Sequence, residues 1–412
     1  MKKTLRFLLL FVISLSSCGP MDEPTVYVPP TPLSFYASDT PPPFIIPITE
    51  TPIVLSPETV TETVTPEIIV PVPEEATIPP SARWWDVYFT DPLAINDSNN
   101  PAGSLEEKLI DQINNAQISI HIAGFEFNLT RVAEALIAAK NRGVDVKWMA
   151  DDKNGTQYDT QPGRGQFSML TGAGIEVKDD ARSALMHNKF WIFDSQTVWT
   201  GSTNATVNGV YKQNNNVIVI RSQEIALMYE REFQEMWNGQ FGPRAPSTVN
   251  NQWAILDGTP VQVLFTPEDK AMSKMIAVVN DAQTSIRFLA FSFTDDPLAQ
   301  VMIERAQAGV NVSGVFEAFG SNSPNSELSK LWCAGLPVRQ DGNSSFLHHK
   351  LIIVDDSIVI TGSMNFSVNA DESNEENVII LDNAEIAAIY LREFEAVWSQ
   401  GQSVPVGAFT CP

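Results

Sequence analysis

The chain is poor in cysteine, in histidine and in basic side chains. Its 412 residues include three cysteines and four histidines, and 26 lysines and arginines face 49 acidic residues for a formal net charge of -23. Three cysteines cannot build the disulfide framework of a small secreted protein. A net charge this negative disfavours a protein that binds nucleic acid or another polyanion over a broad surface, but it is compatible with one local basic pocket. The length suffices for two ordinary domains with sizeable cores.

The first 18 residues differ from the rest and are typical of an export signal. Lys2, Lys3 and Arg6 make the first residues positively charged, and segment 5–15 is otherwise almost wholly apolar but too short to span a bilayer. Small residues then precede Cys18, which resembles a bacterial lipoprotein signal whose cysteine is lipidated and becomes the new N-terminus. We predict a protein that is exported and lipid-anchored to the bacterial cell envelope through Cys18. A plain secretory peptide, or a short anchor with a chance cysteine, is the alternative.

Residues 19–83 are proline-rich and indicate no fold of their own. Sixteen of the 28 prolines lie between Pro20 and Pro80. Proline at this density blocks helices and removes the backbone donors that a β-sheet needs. We predict a disordered or polyproline-like tether.

The rest of the chain contains an internal repeat, residues 84–250 and 251–412. The matching segments are two predicted strands, 118–127 with 285–293 and 146–150 with 312–316, and a predicted closing helix. In that helix Ile225, Tyr229, Phe233 and Trp237 correspond to Ile386, Tyr390, Phe394 and Trp398. Alternating strand and helix patterns predict an α/β fold with helices covering the sheet. Gly143 matches Gly309 and His187 matches His348, but the stretch between the two matches is longer in the first copy. The loop that differs, 151–174 in the first copy, is where we expect substrate choice to be built.

One motif recurs in both copies and holds three of the four histidines. His187, Lys189 and Asp194 reappear at the same spacing as His348, Lys350 and Asp355, and each set precedes a G-S-x-N sequence, Gly201–Asn204 and Gly362–Asn365. This doubled pattern resembles the phospholipase D superfamily, which is defined by two such H-x-K-x-x-x-x-D boxes. The resemblance covers about residues 84–400. It implies two tandem phospholipase D-like α/β sandwich repeats, related by a pseudo-two-fold axis, with the active site between them.

The spacing also makes chemical sense. Side chains alternate along a strand, so His187 and Lys189 share one face. One imidazole can attack phosphorus, a second can protonate the leaving oxygen, and lysines can neutralise the phosphate. The side chains expected to hydrogen-bond the non-bridging oxygens are Ser202, Asn204, Ser363 and Asn365. Each copy supplies half of this set, so we predict a monomer that carries both half-sites.

The resemblance further implies a two-step, metal-independent hydrolysis through a phosphohistidine, with no cofactor. The family's usual order makes His187 the nucleophile and His348 the general acid. An acidic residue some way after G-S-x-N steadies a catalytic histidine in this family, and Glu376 fits that role for His187 across the interface, with Glu375 as a close rival. The step that leads from His348 to Glu376 leads from His187 to Asn215, which is expected near His348 as a further substrate-binding residue. Asp194 and Asp355 are expected to be structural.

Four further features have less specific interpretations. His121 lies in an apolar strand and is expected to be packed, and His349 is expected to point away from His348 and Lys350. Trp84 and Trp85 are expected in the core or over the tether junction. Cys333 and Cys411 either form a disulfide or remain two thiols.

The function predicted first is hydrolysis of a phospholipid head-group phosphodiester at a membrane. An extracytoplasmic endonuclease of the same superfamily is the alternative, because Lys153 and Arg164 could extend a local basic cleft. A lipid synthase ranks third, since such enzymes usually carry spanning helices. A non-catalytic phosphate-binding module is the alternative outside the enzymes.

Overall fold

The computed structural model describes residues 83–246 and 252–411. The predicted signal, with Cys18, and nearly all of the predicted tether lie outside the described residues. Among the described residues, no helix has both the length and the apolar character to cross a bilayer.

The first repeat is built on a seven-stranded mixed sheet in the order β1-β7-β6-β5-β2-β3-β4. Its strands are β1 Trp85–Phe89, β2 Ser119–Gly124, β3 Asp145–Ala150, β4 Glu176–Asp179, β5 Lys189–Phe193, β6 Thr197–Gly201 and β7 Asn216–Arg221. Its helices are α1 Leu105–Asn115, α2 Thr130–Asn141, α3 Gln166–Gly172, α4 Val207–Tyr211 and α5 Gln223–Trp237. A π-helical turn, Asp152–Thr156, and a 3-10 turn, Gln157–Thr160, follow β3.

The second repeat is built on a nine-stranded sheet in the order β16-β12-β11-β10-β13-β14-β15-β9-β8. Its strands are β8 Trp253–Leu256, β9 Thr259–Thr266, β10 Ser285–Ala290, β11 Asn311–Phe316, β12 Val338–Gln340, β13 Lys350–Val354, β14 Ile358–Gly362, β15 Glu376–Asp382 and β16 Gln402–Ser403. Its helices are α6 Ala271–Asn280, α7 Asp296–Gln307, α8 Leu328–Cys333, α9 Val368–Glu372 and α10 Ala384–Gln400. Strands β9 to β15 repeat the order of β1 to β7, with β8 and β16 added at the edges.

The core of the molecule lies between the repeats. One cluster of buried side chains combines the apolar faces of α5 and α10 with residues from both sheets, whereas the outer helices of each repeat bury their own cluster. The four-residue spacing predicted Tyr229 and Phe233 on one buried face of α5, and both are buried there. The predicted α/β fold with two repeats is confirmed.

The second strand of each repeat is shorter than predicted. It ends at Gly124 and Ala290, not at Phe127 and Phe293. At Gly124 the ring of Trp148 lies so close that a Cβ would meet it at 2.8 Å, and the indole Nε1 donates to the Gly124 carbonyl at 3.1 Å. Beyond Gly124 the chain leaves the sheet, and Phe125 packs edge-on against His187 with 4.7 Å between ring centres.

The two cysteines that the sequence left undecided form a disulfide. Cys333 at the end of α8 is bonded to Cys411, with 5.4 Å between the Cα atoms and 78 residues between them in sequence. The bond fastens the C-terminal segment to the second repeat.

Candidate active site

The backbone of each repeat's histidine box is held by the other repeat. The His187 N–H donates to the carbonyl of Glu375 at 2.9 Å, and the His348 N–H donates to the carbonyl of Asn214 at 2.9 Å. Each contact belongs to a short parallel β-bridge, Met186 with Glu375 and Asn214 with Leu347. The position of each histidine is thus fixed across the pseudo-two-fold interface.

A carboxylate of the second repeat lies behind His187. Nδ1 of His187 is 2.7 Å from Oε2 of Glu376, and both side chains are buried. The Ser363 hydroxyl donates to the same oxygen at 2.8 Å, and the Asn374 amide donates to the other at 3.3 Å. Since Ser363 already accepts from the Asn377 N–H at 2.9 Å, its own proton goes to Glu376. In its ionised form, Glu376 accepts from every neighbour, which keeps the imidazole proton on Nδ1 and leaves Nε2 as the free nitrogen.

An amide occupies the corresponding place behind His348. Its Nδ1 lies 2.9 Å from Oδ1 of Asn215 and 3.0 Å from the carbonyl of Ser202. The orientation of the Asn215 amide is fixed because its nitrogen donates to the carbonyl of Gly209 at 2.9 Å. Both neighbours of Nδ1 are acceptors, so Nε2 of His348 also faces away from them and is available for proton transfer.

The two lysines complete the cluster. Nζ of Lys189 donates to the carbonyl of His187 at 2.7 Å, and Nζ of Lys350 donates to that of His348 at 2.8 Å. Each ammonium also lies over an aromatic ring, at 5.1 Å from the centre of Phe125 for Lys189 and at 4.8 Å from that of Phe291 for Lys350. Such contacts partly replace the water that the buried cations have lost.

Burial sets the protonation of the whole group. It lowers the pKa of Lys189 to about 8, and it lowers the pKa of Lys350, with Lys189 adding to that shift. Burial and the two lysines lower the pKa values of His187 and His348, so both rings are neutral at pH 7 before substrate binds. Burial raises the pKa of Glu376 to about 8. The arrangement is that of two neutral imidazoles beside two lysines, which suits the binding of an anionic phosphodiester.

The expected substrate contacts of Ser202, Ser363 and Asn215 differ from their positions in the structure. All three are fully buried, and the two hydroxyls donate behind the histidines, Ser202 to Asn215 at 2.8 Å and Ser363 to Glu376 at 2.8 Å. The reason is that Ser202 and Ser363 lie beside the starts of β7 and β15, where Asn215 and Glu376 contact the two histidines. These hydroxyls position the imidazoles and have no proton left for a phosphate oxygen.

The two asparagines of the G-S-x-N sequences keep free polar atoms. In the parts of the chain that the structure describes, Oδ1 of Asn204 and Oδ1 of Asn365 are buried without a hydrogen-bond partner. An amide group can flip to exchange its oxygen and its nitrogen, so each side chain can present a donor. Asn204 and Asn365 therefore fit the expected contact with non-bridging oxygens.

Comparison with known proteins places these features in a family. The family model described as "Cardiolipin synthase, PLD-like domain" matches residues 109–237 and 275–398, more than half of the chain. The chain belongs to this phospholipase D-like family. The match falls in two segments, one in each repeat, as the doubled motif predicted, and at the level of the family it supports a phosphodiesterase.

Two curated relatives are similar over about the length of one repeat. The mitochondrial cardiolipin hydrolase of Xenopus laevis is 34% identical over 132 residues, which are 32% of this chain and 63% of that protein. The phospholipase D of Rickettsia bellii is 32% identical over 139 residues, 34% of this chain and 69% of that protein. The chain thus spans less than two thirds of the length of the cardiolipin hydrolase.

Among solved structures, a phosphatidylserine synthase shares the architecture of the whole double repeat. The enzyme of Haemophilus influenzae Rd KW20 gives a TM-score of 0.58 at 13% identity, over 77% of this chain and 87% of that one. At this identity the likeness shows the fold alone.

The remaining predicted residues lie outside the cleft. Asp194 and Asp355 each follow a strand at positive φ and accept backbone N–H groups of the loop before the second strand, at 2.7 to 3.1 Å. His121 stacks on Phe233 with 4.8 Å between ring centres and contacts Glu230 at 2.8 Å. Trp85 is buried in the shared core.

The residues between the histidine and the lysine of each box bind the opposite repeat. His349 points away from the site, with Nδ1 2.9 Å from the amide of Asn216 and Nε2 3.0 Å from Glu393. Asn188 accepts from the Asn377 amide at 2.9 Å in the matching place. Glu375, the rival to Glu376, faces Arg182 and accepts from the Gly242 N–H at 2.7 Å, so its side chain does not serve His187.

Sequence reasoning missed a second pair of carboxylates, Asp151 and Glu317. Asp151 accepts from the Met186 N–H at 3.2 Å and Glu317 from the Leu347 N–H at 2.5 Å, so each holds the residue before a site histidine. Each is the first residue after a matching strand, β3 or β11, so the two occupy equivalent places in the copies. That equal placement was a signal in the sequence that could have found them.

Carboxylates also gather in groups of three. In the described residues, Asp151, Asp152 and Asp180 bring oxygens within 4.8 Å of one another, as do Glu232, Glu235 and Glu268. Spacing along the sequence did not reveal either group. Arg164, which was expected to widen a basic cleft, is paired with Glu126 at 2.9 Å. Glu126 therefore already offsets the positive charge that Arg164 was expected to contribute to a basic cleft.

Proposed function

We propose that this chain hydrolyses the head-group phosphodiester bond of a phospholipid through a phosphohistidine on His187. The observation that carries the proposal is the unequal support of the two histidines, with Glu376 behind His187 and Asn215 behind His348. A carboxylate stabilises the cation that forms when an imidazole attacks phosphorus, whereas an amide fixes the ring without retaining a positive charge. The first ring is suited to be the nucleophile and the second to be the acid and base.

The first step exchanges one bond to phosphorus for another. Nε2 of neutral His187 attacks the phosphorus, and the bond to the head-group oxygen breaks. His348, protonated when the anionic phosphodiester enters, gives its proton to that oxygen, so the head group leaves as an alcohol. The charges of Lys189 and Lys350 offset the charge on the non-bridging oxygens in the transition state.

The second step restores the enzyme. Neutral His348 takes a proton from water, the water oxygen attacks phosphorus, and the bond between phosphorus and His187 breaks. The products are the alcohol and a phosphatidic acid. All proton transfers in this scheme use groups of the cleft, and we predict that neither step needs a metal.

A phospholipid is favoured over a nucleic acid by charge and by the relatives. The chain carries a net charge of -23, which opposes a polyanion more than a single phosphodiester. Relatives of about 32 to 34% identity carry the names cardiolipin hydrolase and phospholipase D. An endonuclease acting outside the cytoplasm is the competing function and is one outcome of the test.

The purified full chain is expected to release head-group alcohol and phosphatidic acid from vesicles of phosphatidylcholine and cardiolipin. Single-stranded DNA and RNA, assayed in parallel, should be cleaved far more slowly, and EDTA should leave the lipid rate unchanged. Chromatography of the lipid products and gel analysis of the nucleic acids measure the two activities. Rapid cleavage of nucleic acid with intact lipid would establish the nuclease, and inhibition by EDTA that a divalent metal reverses would refute the metal-free chemistry.

We also propose that the chain is exported and anchored by acyl chains on Cys18. Each buried methylene contributes about 0.8 kcal/mol, so two or more chains hold a protein stably on a membrane. Cys18→Ser is expected to move the protein from the membrane fraction to the soluble or secreted fraction, as measured by fractionation and immunoblotting. Cys411→Ser, which leaves the signal intact, is the matched control. Unchanged membrane association of Cys18→Ser would contradict the anchor.

A further inference from the structure

A row of aromatic rings leads from solvent to His348. The ring of Phe291 packs edge-on against His348 with 4.8 Å between centres, Phe346 follows at 5.8 Å from Phe291, and Phe319 follows at 6.1 Å from Phe346. Phe291 and Phe346 are half-buried, whereas the side chain of Phe319 is 80% exposed. We call Phe291, Phe346 and Phe319 the aromatic row.

Hydrogen bonds hold the turn that carries the exposed ring of Phe319. The Phe319 N–H donates to Oε1 of Glu317 at 2.8 Å, and the other oxygen of Glu317 holds the Leu347 N–H next to His348. The Gln340 amide donates to Ser321 at 2.8 Å on the other side of the turn. The turn that presents Phe319 to solvent is thus tied to the histidine box itself.

The first repeat has no such row. Phe125 packs against His187 as Phe291 packs against His348, with 4.7 Å between centres. At the place of Phe346, two positions before the histidine of the box, the first repeat carries Leu185. At the place of Phe319, three positions after the third strand of the repeat, it carries the exposed Lys153. The third strand of the second repeat is therefore followed by an exposed apolar ring, and that of the first repeat by an exposed cation.

We propose that the aromatic row is a lipid-docking surface, with Phe319 entering the apolar layer of a phospholipid membrane beside the cleft. An apolar row that ends at a phosphate site with two lysines complements an amphiphile that joins acyl chains to an anionic phosphate. A single exposed ring is ordinary on a protein surface, but this one continues through two further rings to a site histidine. The net charge of -23 disfavours the other partner that stacks on rings, a single-stranded nucleic acid. The inference rests on the proposed phospholipid hydrolysis and adds the way in which the protein reaches a substrate that lies in a membrane.

The test compares two forms of one substrate chemistry. The full chain carries Cys18→Ser throughout, so that the predicted acyl anchor does not mask docking. Hydrolysis is measured on vesicles of phosphatidylcholine and cardiolipin, and on monomeric dibutanoyl phosphatidylcholine, which forms no membrane. Phe319→Ala is expected to lower kcat/KM on vesicles about tenfold, as loss of a buried phenyl ring predicts, and to leave the monomeric substrate unchanged. Phe319→Trp should retain the vesicle rate, because indole also suits the membrane interface.

The matched control is Ile255→Ala, since Ile255 is an apolar residue 73% exposed on β8 that is outside the aromatic row. It should leave both rates unchanged. Equal rates of Phe319→Ala and the parent on vesicles would overturn the docking surface, as would an equal fall with Ile255→Ala. A loss confined to cleavage of single-stranded DNA would show that the row stacks bases instead. If the parent hydrolyses neither lipid form, the proposed function itself has failed, which is a different result from the failure of docking.

Discussion

Replacing His187 by asparagine is expected to lower hydrolysis of every phosphodiester by roughly 10⁴-fold or more, because the nucleophile is lost. His348→Asn should cost about 10² to 10⁴-fold on a phospholipid, whose alcohol leaves only when protonated. With a 4-nitrophenyl ester the leaving group needs no proton, so His348→Asn should still release a burst of nitrophenolate while His187→Asn should not. Burst kinetics on the two substrates therefore separate the two roles.

The covalent intermediate provides a direct check on this assignment. The bond between phosphorus and an imidazole nitrogen is labile in acid, so the reaction is quenched in base and the peptides are mapped by mass spectrometry for a phosphoryl adduct. The adduct is expected on His187, and its presence on His348 would reverse the assignment. His121→Asn is the matched control, because His121 contacts Glu230 and Phe233 outside the cleft and should leave turnover unchanged. Near-normal turnover of either site variant would refute a mechanism with two histidines.

Glu376→Gln is expected to change the pH dependence of the reaction as well as its rate. Burial raises the pKa of Glu376 to about 8, while burial, Lys189 and Lys350 lower that of His187. As pH falls, Glu376 takes up a proton and can no longer offset the charge that forms on His187 during attack. The wild-type kcat/KM should therefore rise with pH through the range near 8 and fall again as Lys189, whose pKa burial lowers to about 8, loses its charge.

Without the carboxylate, His187 titrates alone at its lowered pKa, so the acidic limb of the profile should move to lower pH. The maximal rate should fall on the order of 10²-fold, because the cation formed on attack has lost its counter-charge. Glu375→Gln is the matched control, since its side chain faces Arg182 and Gly242. A limb that stays in place in Glu376→Gln, or that moves equally in Glu375→Gln, would contradict the pairing.

Much of the fold could be predicted because its main signals repeat. Apolar alternation and helical spacing occur at matching positions in both halves, and the doubled motif gave the pairing of His187 with His348. The contact between His187 and Glu376 was predicted from the family resemblance, which implies an acidic residue after G-S-x-N that serves the histidine across the interface. The same step past the histidine in the first copy leads to Asn215. Their catalytic roles stay predictions.

Other features depended on contacts that the sequence does not display. Ser202 and Ser363 turn toward residues 13 positions further on, which only the order of neighbouring strands brings beside them. The bond between Cys333 and Cys411 joins a short helix to the C-terminal segment across 78 residues. The aromatic row gathers one ring from each of three loops, and loop geometry has no periodicity from which to infer it.

The unequal neighbours of the two histidines depend on both half-sites being in a single chain. In a homodimer of one repeat, both histidines would have the same residues behind them. A substitution that suited the nucleophilic histidine would then also alter the surroundings of the histidine that acts as the acid. Here Glu376 and Asn215 occupy equivalent places but belong to different stretches of one polypeptide. Each can vary without its counterpart, so duplication within the chain lets the two imidazoles specialise. In the proposed mechanism, the reaction then has a fixed direction across the interface, and the two repeats are free to recognise different halves of a substrate.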